Sequence, residues 1–296
     1  VGAAYYRMQY LATALDIVHR QRRLLDAAVQ TSTTRYATGV APQSDPLQAR
    51  LARDRLEAEE ATLLGDRRAA RAAVNALRNR APDAPLEARP LDVARLHGRV
   101  APLAPQDVLV TRAVGVHPRV AVRRAALAQA RQAIRLERLA ARPDLSLMLE
   151  YEYRGRVAPN LNTADFASLF VGVRLPVWAW RKQFRLADAA RADSAAAAAE
   201  LQEVEAQLAR DVAATWARAS AAQRRLELLV DGVLPTARAT VESVVRSYEV
   251  GRIEFVTVIA VEDALFRAEI EAAAVAADYQ LQVLTLRQLT GEEERP

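Results

Sequence analysis

Two short stretches, R-Y-A-T-G at Arg35 to Gly39 and S-Y-E-V-G at Ser247 to Gly251, place a tyrosine three residues ahead of a glycine at the same phase of two helix-turn-helix blocks. The separation is 212 residues for the glycines, for Tyr36 and Tyr248, and for Leu77 and Leu289, which close the helix after each turn. A gap-free register of this kind marks an internal duplication. Each copy reads as a long helical hairpin: a helix that ends at its tyrosine, a glycine that supplies a left-handed C-terminal stop, and a return helix. A glycine at such a tip also admits the close approach of a partner's backbone.

Hairpins of this length require apolar residues in narrow seams, and the composition agrees. Of 296 residues 51% are hydrophobic but only 5% aromatic, the apolar share being Ala and Leu with Arg and Glu between them. That mixture belongs to helices packed side by side and not to one thick core. The first copy is expected over residues 1–78, with its tip near 39–44, Ser44 or Asp45 capping the return helix and Pro46 tolerated in its first turn. In that helix Ala49, Leu56, Leu63, Ala70 and Leu77 recur at spacing seven, the seam of a coiled coil. The second copy is expected over 177–291, with a kink near Gly232 and Pro235 and its tip near 250–254. Its last helix carries Val261, Leu265, Ala268, Ala272, Val275, Tyr279, Leu286 and Leu289 at alternating spacings of four and three, broken at Gln282. Between the copies, 79–105 is too rich in proline to be helix throughout and reads as a strap. Residues 106–142 return to a helical pattern interrupted near Gly115 and Pro118, and 292–296 form a tail.

At Pro143 the period changes from helical to two. Leu145, Leu147, Leu149, Tyr151 and Tyr153 alternate with Ser146, Met148, Glu150, Glu152 and Arg154; after a polar loop, Ala167, Leu169, Val171, Val173 and Leu175 alternate with Phe166, Ser168, Phe170, Gly172 and Arg174. Residues 143–176 therefore read as a β-hairpin. Each strand has the length that crosses a bilayer when tilted. Trp178 and Trp180 follow at once, where an aromatic girdle would meet the membrane surface. A spanning strand needs a closed barrel, because lipid satisfies no backbone hydrogen bond, and two strands close nothing. The membrane reading thus requires strands from other protomers.

Other function classes find little support. The net charge of +5 is spread along the helices, without the basic patch and interleaved aromatics of a nucleic-acid surface. The chain has no cysteine, hence no disulfide and no thiolate nucleophile or ligand. His19, His97 and His117 share no ligand spacing, Gly-rich phosphate loops are absent, and paired acids such as Glu59 and Glu60 read as solvated helix faces. No run of about 18 apolar residues would make a membrane helix. The expectation is a protein that is not an enzyme and uses no cofactor and no metal. The alternative to the membrane reading is a soluble coiled-coil scaffold or adaptor whose hairpin makes a lateral contact.

The order helix, Y-x-x-G tip, Ala/Leu/Arg/Glu helix, strap, helix, R-P-D-L-S-L strand, G-V-R-L-P strand exit, long helix, second Y-x-x-G tip and final helix resembles the TolC-type outer-membrane efflux proteins. The resemblance runs over essentially residues 1–291. It implies a mainly α chain whose long antiparallel coiled-coil helices form part of a trimeric periplasmic α-barrel, with one transmembrane β-hairpin contributing to an outer-membrane β-barrel. It also implies a homotrimer in outer-membrane lipid that extends into the periplasm, a periplasmic adaptor (membrane fusion) protein, an inner-membrane pump of the resistance-nodulation-division or ABC type, and no nucleic acid. Carried over by position, Gly39, Val40, Gly251 and Arg252 fall in the adaptor-docking and iris region. Asp45 and Tyr248, with Tyr36, fall where hydrogen bonds hold the aperture closed. The sequence departs from the family's pattern at Ile253, where a second arginine-type constraint is usual, with Arg252 a possible substitute. It departs again at Thr257 and Ala260, where the family often has acids that narrow the pore. The family's signal peptide, first helix and first β-hairpin have no counterpart ahead of Val1, so an N-terminally truncated copy is expected.

Overall fold

The computed structural model describes residues 2–153, 165–175, 177 and 181–292. In chain order the elements are α1 (Gly2–Ala37), α2 (Ser44–Leu77), α3 (Val93–His97), α4 (Gln106–Val116), α5 (Pro118–Leu139), β1 (Asp144–Glu152), β2 (Phe166–Arg174), α6 (Gln183–Leu228), a π-helical segment (Leu229–Val233), α7 (Leu234–Glu249) and α8 (Phe255–Thr290). They fall into two compact units, Val1–Ala113 with Arg210–Pro296, and Val114–Ala209.

The first unit is organised around α8, which buries residues on two faces. Phe266 and Ala273 join Ile17, Val18 and Leu25 of α1 and Leu56 of α2 in one apolar cluster. Ala268, Ala272, Val275, Ala276 and Tyr279 join Ala222, Leu226, Leu229 and Leu234 in another. Ala268, Ala272, Val275 and Tyr279 of the expected seam lie in the second cluster, and Phe266 and Ala273 form a further buried face outside it. Opposed charges follow the same packing: Glu269 of α8, largely shielded, pairs with Arg20 of α1 at 3.2 Å and with Arg238 of α7 at 3.0 Å. Arg22 of α1 pairs with Glu60 of α2 at 3.0 Å. The seven-residue seam of α2 is buried at Ala49 and Leu56 but runs out at Leu77, which is exposed.

Three details correct or refine the sequence expectations. Neither Ser44 nor Asp45 caps α2: the capping position is Gln43 in a helical conformation with no side-chain hydrogen bond, and both expected caps lie inside the first turn. The expected kink is a π-helical turn, in which the Leu234 amide reaches back to the Leu229 carbonyl. The wider turn makes room for Pro235, whose ring clashes with the carbonyl four residues back in a regular helix. The 106–142 segment is two helices, split at His117, whose Nδ1 accepts from the Arg119 amide at 3.2 Å.

Residues 79–105, rich in proline, make few backbone hydrogen bonds of their own, and helix side chains supply the partners. Asn75, fully buried, donates to the carbonyls of Pro82 at 3.2 Å and Ala84 at 2.9 Å. Thr13 Oγ1 accepts from the Leu91 amide at 2.6 Å, and Trp216 Nε1 donates to the Ala104 carbonyl at 2.9 Å. His97 of α3 meets Asp231 of the π segment at 3.2 Å.

In the second unit, β1 and β2 pair antiparallel with Leu145, Leu147, Leu149 and Tyr151 opposite Val173, Val171, Leu169 and Ala167. That register puts the two expected apolar sets on one face of the hairpin. In the same unit α5 meets the first part of α6 through Arg123 and Glu200 at 2.7 Å and Arg124 and Glu205 at 3.1 Å.

Candidate functional site: two helix tips around a recess

Both helical hairpins close with the same backbone device. At the first tip the Val40 amide donates to the Arg35 carbonyl at 2.8 Å and the Gly39 amide to the Tyr36 carbonyl at 3.0 Å. At the second, the Arg252 amide donates to the Ser247 carbonyl and the Gly251 amide to the Tyr248 carbonyl, both at 2.9 Å. Gly39 and Gly251 have φ of 76° and 71°, and this pairing is the Schellman stop. In both turns the residue whose carbonyl takes the glycine amide is a tyrosine, three residues before the glycine. A Cβ on either glycine would meet nothing within 4 Å, so backbone conformation alone selects the residue.

The side chains on these two turns differ. Tyr36 is 45% exposed, and Val40 and Val250 also face solvent. Tyr248 is half-buried, with the Arg35 guanidinium 4.6 Å from its ring centroid and the tilted ring of Phe255 at 5.4 Å. Arg35 ends α1, Tyr248 ends α7 and Phe255 begins α8, so three helix ends converge on one phenol.

Beside that phenol lies a recess of about 370 Å³ between the tips, lined among others by Arg35, Asp45, Gln48, Tyr248, Ile253 and Phe255. Asp45, only 8% exposed, accepts from the Ser44 hydroxyl at 3.3 Å. Two shielded polar atoms here, Tyr248 Oη and Gln48 Oε1, have no hydrogen-bond partner. Burial pushes the Tyr248 phenol above its ordinary pKa, the Arg35 charge opposes that rise and the Asp45 carboxylate adds to it. The phenol is therefore protonated at neutral pH and free to donate. Such a recess offers hydrogen bonding and cation–π contact.

Of the residues expected from sequence, the structure brings Val40, Asp45, Tyr248 and Gly251 to this recess. Gly39 shapes the first turn beside it, while Tyr36 and Arg252 are exposed. Trp178 and Trp180, expected at a membrane surface, lie outside the described residues. Sequence reasoning missed Arg35, Gln48 and Phe255. Arg35 stands inside the repeated motif, but a basic residue in a helix's last turn is ordinary complementarity to the helix dipole. His19 pairs with Glu60 at 3.3 Å, and His97 and His117 have the packing roles given above. Among the described residues no group of three or more His, Cys, Asp or Glu is placed to hold a metal ion, and no helix is long and apolar enough to cross a membrane.

A family model described as outer membrane efflux protein matches residues 109–292. Among solved structures, the outer-membrane channel OprN is similar at 17% identity and a TM-score of 0.78, over 100% of this chain and 66% of that one. The outer membrane protein VceC from Vibrio cholerae is similar at 18% identity and a TM-score of 0.77, over 98% and 68%. CusC, whose crystal structures concern conformational changes accompanying folding and transmembrane channel formation, is similar at 16% identity and a TM-score of 0.79, over 97% and 66%. The chain thus spans about two thirds of the length of these structures, and at such identities the likeness is one of fold. No curated protein matches it in sequence.

Proposed function

The chain belongs to the outer membrane efflux protein family, and from that premise we propose that it forms the outer-membrane exit duct of a tripartite efflux or export system. The observation that carries this reading is the β-hairpin. Leu145, Leu147 and Leu149 of β1 and Leu169, Val171 and Val173 of β2 share one face, and all six are exposed. A bare two-stranded apolar face is unstable in water and suited to lipid. Because an open sheet edge is not tolerated in a bilayer, the hairpin joins strands of further protomers in a closed barrel, as a homotrimer.

In this reading the long helical hairpins line a periplasmic α-barrel. Transport through it is passive, powered by an inner-membrane pump of the resistance-nodulation-division or ABC type. The exposed tips at Gly39, Val40, Gly251 and Arg252 dock a periplasmic adaptor protein. Asp45 and Tyr248, with Tyr36 at the outer rim, form an iris whose hydrogen bonds close between helix ends, and the unpartnered Tyr248 hydroxyl beside the Asp45 carboxylate supports that role. The scaffold alternative needs a lateral partner to cover the apolar hairpin face, whereas lipid covers it in the channel reading.

The test is fractionation of cells making the full-length protein, followed by electrophoresis without boiling and single-channel recording in planar bilayers. An outer-membrane, heat-resistant trimer that conducts is the expected result. A soluble monomer would sink the proposal.

A further inference from the structure

We propose that Arg35 is the positioning residue of the iris: its guanidinium clamps the face of Tyr248, fixing the direction of the hydroxyl without consuming it. This deepens the reading of Tyr248 as a gate residue and rests on it. Arg35 touches both tips by different means. Its carbonyl accepts from the Val40 amide at 2.8 Å and the Ala41 amide at 3.2 Å, which sets the first turn. Its side chain lies 4.6 Å from the ring centroid of Tyr248, at the end of the other hairpin.

The kind of contact matters. Two ordinary ways to orient a tyrosine are a hydrogen bond to its oxygen and close packing of its ring. Here the oxygen has no partner, so the ring must be held by its flanks. Phe255 supplies an apolar neighbour at 5.4 Å and an interplanar angle of 52°, a tilted contact. The guanidinium supplies the directional contact, since a cation is drawn to the negative face of the ring and stacks flat on it. Among the described residues Arg35 has no ion pair to draw it elsewhere. The sequence separation of Arg35 and Tyr248 makes this a tertiary link, and it joins the end of α1 to the end of α7 within one protomer. Both hairpin ends then move as one body, with the hydroxyl kept available for the partner that closes the aperture.

The test is a double-mutant cycle on the full-length protein, read as basal conductance in planar bilayers and as thermal unfolding of the same samples. Arg35→Gln removes the cation at similar length, Arg35→Lys keeps it, and Tyr248→Leu removes the ring. Arg35→Gln is expected to raise basal conductance about two- to fivefold, with most of the rise reversed in Arg35→Lys. In the Tyr248→Leu background Arg35→Gln is expected to add nothing. An undiminished rise in that background, or no recovery with lysine, overturns the proposal. Should Tyr248→Leu leave conductance at the wild-type level, the gate reading fails by itself. The clamp is then decided by the melts: non-additive losses in melting temperature uphold a direct Arg35–Tyr248 link, and additive losses refute it.

Discussion

At the first tip a tyrosine faces solvent; at the second, 212 residues on, its counterpart is held between a guanidinium and a phenylalanine. The backbone beneath them is almost the same, with glycine φ values of 76° and 71° and the same pair of turn hydrogen bonds. The side chains have diverged in complementary ways. Where the second copy has Phe255, 5% exposed, the first has the exposed Gln43. Where the first copy has the buried Asp45, the second has the exposed Thr257. Duplication thus preserved the turn while its surroundings specialised: one copy supplies the cation and the carboxylate, the other the phenol and its apolar support. The recess exists only because the copies are unlike.

The largest test of that asymmetry is truncation at matched positions. Phe255→Ala is expected to cost about 3 kcal/mol, as for a buried aromatic, and Gln43→Ala less than about 0.5 kcal/mol, both by denaturant unfolding of the purified protein. Equal losses would mean that the tips are supported alike. Next come the glycines, where the backbone symmetry predicts matched effects. Gly39→Val and Gly251→Val should each lose roughly 1–2 kcal/mol, since the added Cβ strains the turn and meets nothing else. A loss at only one glycine would show that the turns are not equivalent.

A smaller stability effect with a larger functional one is expected at the phenols. Tyr248→Phe removes a hydroxyl that has no partner, so its melting temperature should stay near the wild-type value while channel leak rises. Tyr36→Phe, at the exposed outer rim, should leave the melting temperature unchanged and raise leak less than Tyr248→Phe. Leak unchanged in both Tyr248→Phe and Asp45→Ala channels would leave the glycines as ordinary helix stops.

The smallest expected effect follows pH and should be shared by the two return helices. Burial raises the carboxyl of Glu59 on α2, with Asp263 adding to the rise and Arg267 opposing it. Burial likewise raises Glu262 on α8, opposed by a hydrogen bond from Gln21 and reinforced by Glu269. Because the folded values lie above the ordinary 4.5, protonation favours the fold. Their contribution is fully present below 4.5 and is lost as pH rises through the raised values. Melting temperature should therefore climb slightly as pH falls from neutral toward 4.5, and Glu59→Gln and Glu262→Gln should each flatten the slope. A slope unchanged by both variants would contradict this account.

Much of this fold was legible because its determinants are local. Spacing of seven marked α2, period two marked both strands with their correct faces, and the tyrosine and glycine spacing marked both turns. What escaped was set by tertiary neighbours. Arg35 and Phe255 gain their roles only when two distant helix ends meet. The burial of Asp45, which lies one residue inside α2, also depends on the second hairpin. The π turn could be suspected from Pro235, but its width is a compromise between the proline ring and the packing of Leu229 and Leu234 against α8.

The strap has a consequence in the time domain. Its backbone is tied by separate side-chain hydrogen bonds at Asn75, Thr13 and Trp216, and not by a continuous ladder. Links of that kind break singly, each without the others' cooperation, whereas a helix amide waits for its whole turn to open. The Leu91 amide should therefore exchange its hydrogen with solvent well before the amides of α8 beneath it. Thr13→Val should shorten its lifetime while those of the helices stay the same.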